Sequence, residues 1–349
     1  TCQSLPAALQ CIQMQWQTLG HEWAANLLQQ HVQQGQVRHA YLFCGPPGVG
    51  RRTLALRFAQ ALNCSQPLAP GLPCGECRAC RQTWAMQHPD FSLLQAEREG
   101  GELKIEAVRT LQQTLSLTPY EAPRRIALLL RFHEANSSAQ NALLKTLEEA
   151  PPGVVLLLTA DAPELLLPTI VSRCEVLRLR PLPLAQAVIA LRSLADMDEA
   201  TAQLLAQVSG GRLGLALRLW QDPAQLQART EGLQTLWELL HSSLGQRFAY
   251  AAACTRERPR EDRGATRQEL RRLFTLWAGF WRDVLLRSHG AHTPLTNPDW
   301  EQAIQQLAQR LPPTVAIQQL KALEQAIVRL PSANLQLLTE VVLLDLPRL

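Results

Sequence analysis

Apolar and polar positions follow two regimes along this chain. Up to about residue 180, short apolar runs alternate with segments whose apolar residues recur at three- and four-residue spacing. Beyond that point only the helical spacing persists. Glu22 to Gln33 predicts an amphipathic helix with Trp23, Leu27, Leu28 and Val32 on one side. Tyr41-Leu42-Phe43-Cys44 predicts a strand, and the segment carrying Leu54, Leu56, Phe58 and Leu62 a helix. A short strand near Phe91 to Leu94 and a helix from Ile105 to Leu115 follow. The run Ile126-Ala127-Leu128-Leu129-Leu130, within Arg125 to Phe132, marks a parallel strand buried on both faces. A helix across Ala139 to Glu149 and strands at Val154 to Thr159 and Glu175 to Leu179 complete the series. Strands alternating with helices specify an α/β fold with a parallel sheet covered on both faces.

The pattern changes at Arg180-Pro181-Leu182-Pro183. A helical segment from about Leu184 to Trp220 carries the turn Ser209-Gly210-Gly211, and longer amphipathic helices follow. In one of them Leu270, Leu273, Phe274, Trp277, Trp281, Val284 and Leu285 form a stripe that reads as core between helices. Arg256 to Arg263 is charge-dense and reads as a solvated loop, with phosphate contact as its alternative. A final helix starts at Asn334 and ends near Leu346.

With 349 residues there is room for two or three domains. No apolar run reaches the roughly 20 residues needed to span a bilayer, and no basic-then-apolar export signal is visible. The net charge of +4 permits local basic patches without demanding a nucleic-acid-coating role. Nine cysteines without an export signal point to a reducing, cytoplasmic setting, where clustered thiols mean metal rather than disulfides.

The chemistry centres on the turn after the first strand. Gly45, Gly48 and Gly50 let backbone N–H groups converge on an anion at a helix N-terminus, as a phosphate-binding loop requires. The working pattern then asks for Lys and Ser/Thr; here stand Arg51 and Arg52, with Thr53 one place late. Arg is longer, planar and forked, and Arg52 offers magnesium no hydroxyl. The strand ending near Phe132 leads into His133-Glu134, so His133 takes the place where such sites carry a magnesium-holding Asp. Imidazole is a poor ligand for that hard ion. Glu134 survives as a potential base with nothing to act on, or simply finishes the strand. Whether the loop still holds a nucleotide or an anion stays open on these residues alone.

Cys64, Cys74, Cys77 and Cys80 give C-x9-C-x2-C-x2-C in a Gly/Pro-rich loop, a spacing that closes a four-thiolate, structural zinc site. Cys44 and Cys174 lie beside buried strands and read as core. Arg173, in Ser172-Arg173-Cys174, is on its own an ordinary surface charge.

His39-Ala40-Tyr41-Leu42-Phe43, the altered loop, the four-cysteine insertion, Asn141-Ala142-Leu143-Leu144-Lys145-Thr146-Leu147-Glu148-Glu149 and Ser172-Arg173-Cys174 occur in that order. Together they resemble the clamp-loader subunits of bacterial DNA polymerase III, in particular the delta-prime family. The likeness is strong over roughly residues 20 to 180 and looser through the helical remainder. It implies an AAA+ module at 1–180 with the zinc loop at 64–80, a helical lid at 181–225 and a helical collar for oligomerisation at 226–349. It implies that Arg173 is an arginine finger for ATP bound by a neighbouring subunit, that Ser172 and Cys174 position it, and that Thr159 is the first sensor. The second-sensor Arg is absent, because Gly211-Arg212-Leu213-Gly214 places Gly214 at its position.

The implied role is a scaffold without ATPase activity of its own. Its implied partners are the gamma/tau motor subunits, the delta subunit, the sliding clamp and primed DNA, with no membrane. Two other classes remain in view. One is an active AAA+ motor with Arg51 replacing Lys. The other is a free-standing zinc-dependent nucleic-acid binder, which lacks the stacking aromatics interleaved with basic residues that such proteins use.

Overall fold

The short apolar runs of the first half are strands: β1 (Ala40–Cys44), β2 (Phe91–Leu94), β3 (Arg125–Leu129), β4 (Val154–Ala160) and β5 (Glu175–Arg178). This is a computed structural model, and it describes Trp16, residues 18–255 and residues 263–349. The five strands pair in parallel in the order β2-β3-β4-β1-β5. Register sets Leu42 of β1 and Leu129 of β3 on either side of Leu158 of β4. Successive strand residues point to opposite faces, and each face has its own core. Tyr41, Phe43, Ile126, Leu128, Val155 and Leu157 pack on one face; Ala40, Leu42, Ala127, Leu129, Leu156 and Leu158 pack on the other. With both faces covered, the inner strands have no solvated position, and their sequence reads as unbroken apolar residues.

The helices of this unit are α1 (Glu22–Gln33), α2 (Arg51–Asn63), α3 (Arg78–Trp84), α4 (Ile105–Leu115), α5 (Ser137–Glu148) and the short α6 (Pro168–Val171). α1 buries Ala24, Ala25 and Leu28, whereas Trp23, expected on the packed side, is 50% exposed. Small alanines let the helix lie close to its neighbours, and the indole is left outside. α5 begins before the expected Ala139 because the Asn136 side chain accepts the Ala139 amide and caps the first turn.

A second difference bears on function. The strand expected to reach Phe132 ends at Leu129. Arg131 adopts a left-handed backbone (φ 48°), and Phe132–Glu134 forms a 3-10 turn. Leu130 and Phe132 are buried all the same. Their apolar character reports burial, which continues past the point where the extended backbone stops.

Asp90 joins the edge of the sheet to its neighbour. It is fully buried before β2 and accepts the amides of Tyr120, Glu121 and Ala122 at 2.6–2.9 Å, with Arg125 of β3 at 3.3 Å.

The described residues form two units, one ending at Leu182 and including Arg212–Gly214, the other made of Pro183–Gly211 and Leu215–Leu349. The second unit is helical: α7 (Leu184–Ala195), α8 (Glu199–Ser209), α9 (Leu213–Gln221, whose first two residues belong to the first unit), α10 (Pro223–Leu240), α11 (Leu244–Cys254), α12 (Arg263–Ser288), α13 (Glu301–Arg310), α14 (Pro313–Arg329) and α15 (Leu335–Asp345). The stripe on α12 is core: Leu270, Phe274, Trp277, Phe280, Trp281 and Val284 are buried against Leu233, Leu236 and Leu240 of α10. The Trp277 indole N–H donates to the Gly232 carbonyl at 2.9 Å. Arg247 of α11, 2% exposed, donates to the carbonyls of Leu239, Leu343, Leu346 and Pro347 at 2.6–3.1 Å. Asn334 caps α15 as expected. The charge-dense stretch from Arg256 lies outside the described residues as far as residue 262. Among the described residues no helix is long and apolar enough to cross a membrane.

Candidate functional site

β1 lies inside the sheet between β4 and β5, and the Gly/Pro turn leaves from its carboxyl end, the edge where parallel sheets bind ligands. The turn is tightly seated. The Gly45 amide donates to the Ala160 carbonyl at 3.2 Å, and a Cβ at Gly45 would lie 2.4 Å from the Leu179 carbonyl oxygen, so no larger residue fits. Gly48 and Gly50 have φ of 83° and 109°, the left-handed region that glycine enters without strain.

Arg51 opens α2, and its Nη1 lies 2.6 Å from Oδ1 of Asp161, the residue that follows β4. The Arg51 side chain is 10% exposed. The Asp161 amide donates to His133 Nδ1 at 3.4 Å, and His133 Nε2 is 3.7 Å from the other Asp161 oxygen. Arg51 and His133 are therefore brought together through an acid that no motif had singled out. Arg52 turns away to the Met86 thioether at 3.5 Å, and Thr53 is half-buried in the first turn of α2.

Other parts of the same unit occupy the remaining sides of the turn. The Gly48 carbonyl accepts the Gly214 amide at 2.9 Å, and His21 Nε2 is 2.8 Å from the Val49 carbonyl. A Cβ on Gly214 would lie 2.8 Å from the Gly48 carbonyl oxygen. The position expected to hold a second-sensor arginine thus touches the loop with its backbone and has no space for a side chain.

At the end of β3 the structure corrects the reading of His133. Because the strand stops at Leu129, the residues that follow it directly are Leu130 and Arg131, and His133 sits in the 3-10 turn beyond. Neither Leu130 nor Arg131 is a carboxylate. The Arg131 amide donates to Thr159 Oγ1 at 2.8 Å, which places Thr159 beside this strand end. Glu134 is held by one oxygen: its Oε1 accepts the Gly100 amide at 2.8 Å and Arg131 Nε at 2.9 Å, while its buried Oε2 has no hydrogen-bond partner. Burial raises the Glu134 pKa against the pull of the Gly100 amide and Arg131.

Arg173 lies just past α6. Its Nη1 donates to the Thr169 carbonyl at 3.0 Å and its Nη2 to Glu148 Oε1 at 2.7 Å, and the side chain is 35% exposed.

Cys64 follows α2, Cys74 lies in the loop, Cys77 caps α3 and Cys80 lies within it. Their sulfurs all fall within 4.8 Å of one another, with Cys64–Cys74 at 3.5 Å and Cys64–Cys77 and Cys74–Cys80 at 3.9 Å. A tetrahedral zinc with bonds of about 2.3 Å sets its sulfurs about 3.8 Å apart, so the four thiols fit that ion. Backbone amides of Cys74, Cys77 and Cys80 donate to the sulfurs of Cys64, Cys74 and Cys77 at 3.3–3.4 Å, which stabilises thiolates. Against its burial, hydrogen bonds involving Ser65 and Cys80 bring Cys77 down to about 6. Burial raises the Cys64 and Cys80 thiols of the set, and it pushes the Cys44 and Cys174 thiols, read as core, up to about 11 and about 12.

Comparison with known proteins agrees with this architecture. Residues 20–183 match the family described as DNA polymerase III, delta subunit, and residues 223–347 match its C-terminal counterpart. The delta-prime subunit of Bacillus subtilis DNA polymerase III is 30% identical over 325 residues, 92% of this chain and 94% of that one. The delta-prime subunit of Pseudomonas aeruginosa is 39% identical over 201 residues, 57% of this chain and 61% of that protein. The Escherichia coli tau subunit is 32% identical over 206 residues, 58% of this chain and 31% of its own length. On this evidence the chain belongs to the family of bacterial DNA polymerase III delta-prime subunits.

Proposed function

We propose that this chain serves a clamp loader as an ATPase-defective scaffold that lends Arg173 to a neighbouring motor subunit. The observation that carries the reading is the state of its own loop. The cation at its end is neutralised by Asp161, and the two residues that directly follow β3, Leu130 and Arg131, offer magnesium no carboxylate. Phosphoryl transfer needs a P-loop cation free for the β- and γ-phosphates and an acid for the metal; both are missing here. Arg173 is also paired, with Glu148, but its side chain is 35% exposed against 10% for Arg51, so it is open to an outside group. A guanidinium supplied from outside neutralises transition-state charge on a γ-phosphate only when the interface between subunits is properly closed. ATP turnover next door would then control opening of the sliding clamp and its placement on primed DNA.

In this reading residues 181–225 form the lid and 226–349 the collar that joins the gamma/tau and delta subunits. Zinc, held by Cys64, Cys74, Cys77 and Cys80, has no open position for water and is structural.

The test is Arg173→Ala in the assembled loader. Lost ATP turnover with intact assembly supports the finger; wild-type turnover removes it. The isolated chain is expected to hydrolyse ATP at background, and brisk hydrolysis would favour the active-motor alternative.

A further inference from the structure

We propose that Glu148 is the positioning residue of Arg173, holding the guanidinium by one carboxylate oxygen so that the group is oriented before a partner arrives. The inference rests on the reading of Arg173 as a finger. Two observations bring Glu148 forward.

The first is geometric. Arginine has five N–H donors in a rigid fork. Here one hydrogen on Nη1 goes to the Thr169 carbonyl and one on Nη2 to Glu148 Oε1, at 3.0 and 2.7 Å. The two anchors come from different helices, Thr169 from α6 and Glu148 from the end of α5. They pin the fork at both Nη atoms and leave three N–H groups for an outside oxyanion.

The second is electrostatic. Glu148 is the last residue of α5. The C-terminal end of a helix carries partial negative charge and disfavours an acid. Helix stability therefore gives no reason for a carboxylate there, and Glu149 beside it adds a like charge. Nor does pair stability supply one. The side chains are 35% and 51% exposed, and ion pairs so open to water contribute little. What the contact does accomplish is to restrict a long side chain that would otherwise sample many rotamers. Reactions that depend on the placement of a charged group are sensitive to that restriction.

Three variants in the assembled loader test this. Glu148→Ala removes the acceptor, Glu148→Gln keeps an oxygen at the same reach without charge, and Glu148→Asp keeps charge but withdraws it. Positioning predicts that Glu148→Ala lowers kcat for ATP several-fold with KM and assembly unchanged. Glu148→Gln restores most of the loss, and Glu148→Asp falls below Glu148→Gln. In an Arg173→Ala background Glu148→Ala should add nothing.

Wild-type turnover in Glu148→Ala overturns the proposal, as does a rise in turnover, which would mean that the carboxylate sequesters the finger. Equal loss in the Ala and Gln variants also overturns it, since charge and not the hydrogen bond would then matter. Should the alanine variant fail to assemble, the order of Gln above Asp decides alone. If Arg173→Ala itself leaves turnover untouched, the finger reading fails. If Arg173→Ala abolishes turnover while Glu148→Ala is silent, only the present inference fails.

Discussion

Arg51 and Asp161 meet across 2.6 Å at the carboxyl ends of adjacent strands, so the cation that opens α2 is already matched within its own chain. Two consequences are measurable. Arg51→Lys combined with Arg52→Thr rebuilds the loop pattern but leaves Leu130 and Arg131 at the end of β3. Phosphate release from ATP by the isolated double variant should stay at background; turnover above it would show that the strand end is not limiting.

The same ion pair should register in stability. Removing only one member of a mostly buried, hydrogen-bonded pair strands the other, at about 2 kcal/mol. Asp161→Ala should therefore lower the denaturant midpoint, and Arg51→Met with Asp161→Leu should recover much of the loss. A midpoint unchanged in Asp161→Ala would mean that the contact is energetically silent.

For the four thiols, protein produced in zinc-supplemented medium should carry one equivalent of zinc, and Cys80→Ser should lose it and melt at lower temperature. Cys80 is the buried member of the set and sits inside α3, so its loss opens both the site and the helix start. Metal analysis and a thermal melt check both points; a metal-free wild type of equal stability would end the assignment.

Asp90 predicts a pH dependence. Burial alone would raise its pKa, but the amides of Tyr120, Glu121 and Ala122 and the Arg125 guanidinium outweigh burial and hold it below the ordinary value. Above the unfolded value of about 4, both states are ionised and the folded chain keeps the full benefit. As pH falls from there through the lower folded value, the unfolded chain takes up its proton first and the benefit is lost. Asp90→Asn should thus destabilise strongly near neutrality, and the gap to wild type should shrink by about pH 3. Denaturation at both pH values tests it; a gap that does not shrink excludes Asp90 as its source.

Arg247 should be irreplaceable by lysine. Its fork satisfies four carbonyls at the ends of α10 and α15, and a single ammonium cannot reach them all. Arg247→Lys is expected to cost about 2–3 kcal/mol, read from urea unfolding. A change below about 0.5 kcal/mol, typical of surface substitutions, would contradict this.

Much of the first unit was legible because a doubly covered sheet leaves so plain a trace. β2, α1 and α4 fall on their expected bounds, and β1 and β4 lie within a residue of theirs. The cysteine spacing likewise foreshadowed sulfurs that converge. Two kinds of information were hidden. Burial without extension misled the reading of Leu130 and Phe132, which look like strand and are not, and this moved His133 onto the wrong position. Partnerships across long separations were also invisible. Asp161 lies 110 residues from Arg51 and Glu148 lies 25 from Arg173, and nothing in the spacing of either pair announces a contact.

Leu130 also bears on how readily such a site could ever be re-equipped. Its side chain is 4% exposed and belongs to the same core as Leu128 and Leu157. An acid introduced there would meet hydrocarbon before it met a metal, and an ionised group without a partner is heavily penalised in such surroundings. Aspartate placed at position 130 alone should therefore loosen this core before it gains any hold on magnesium.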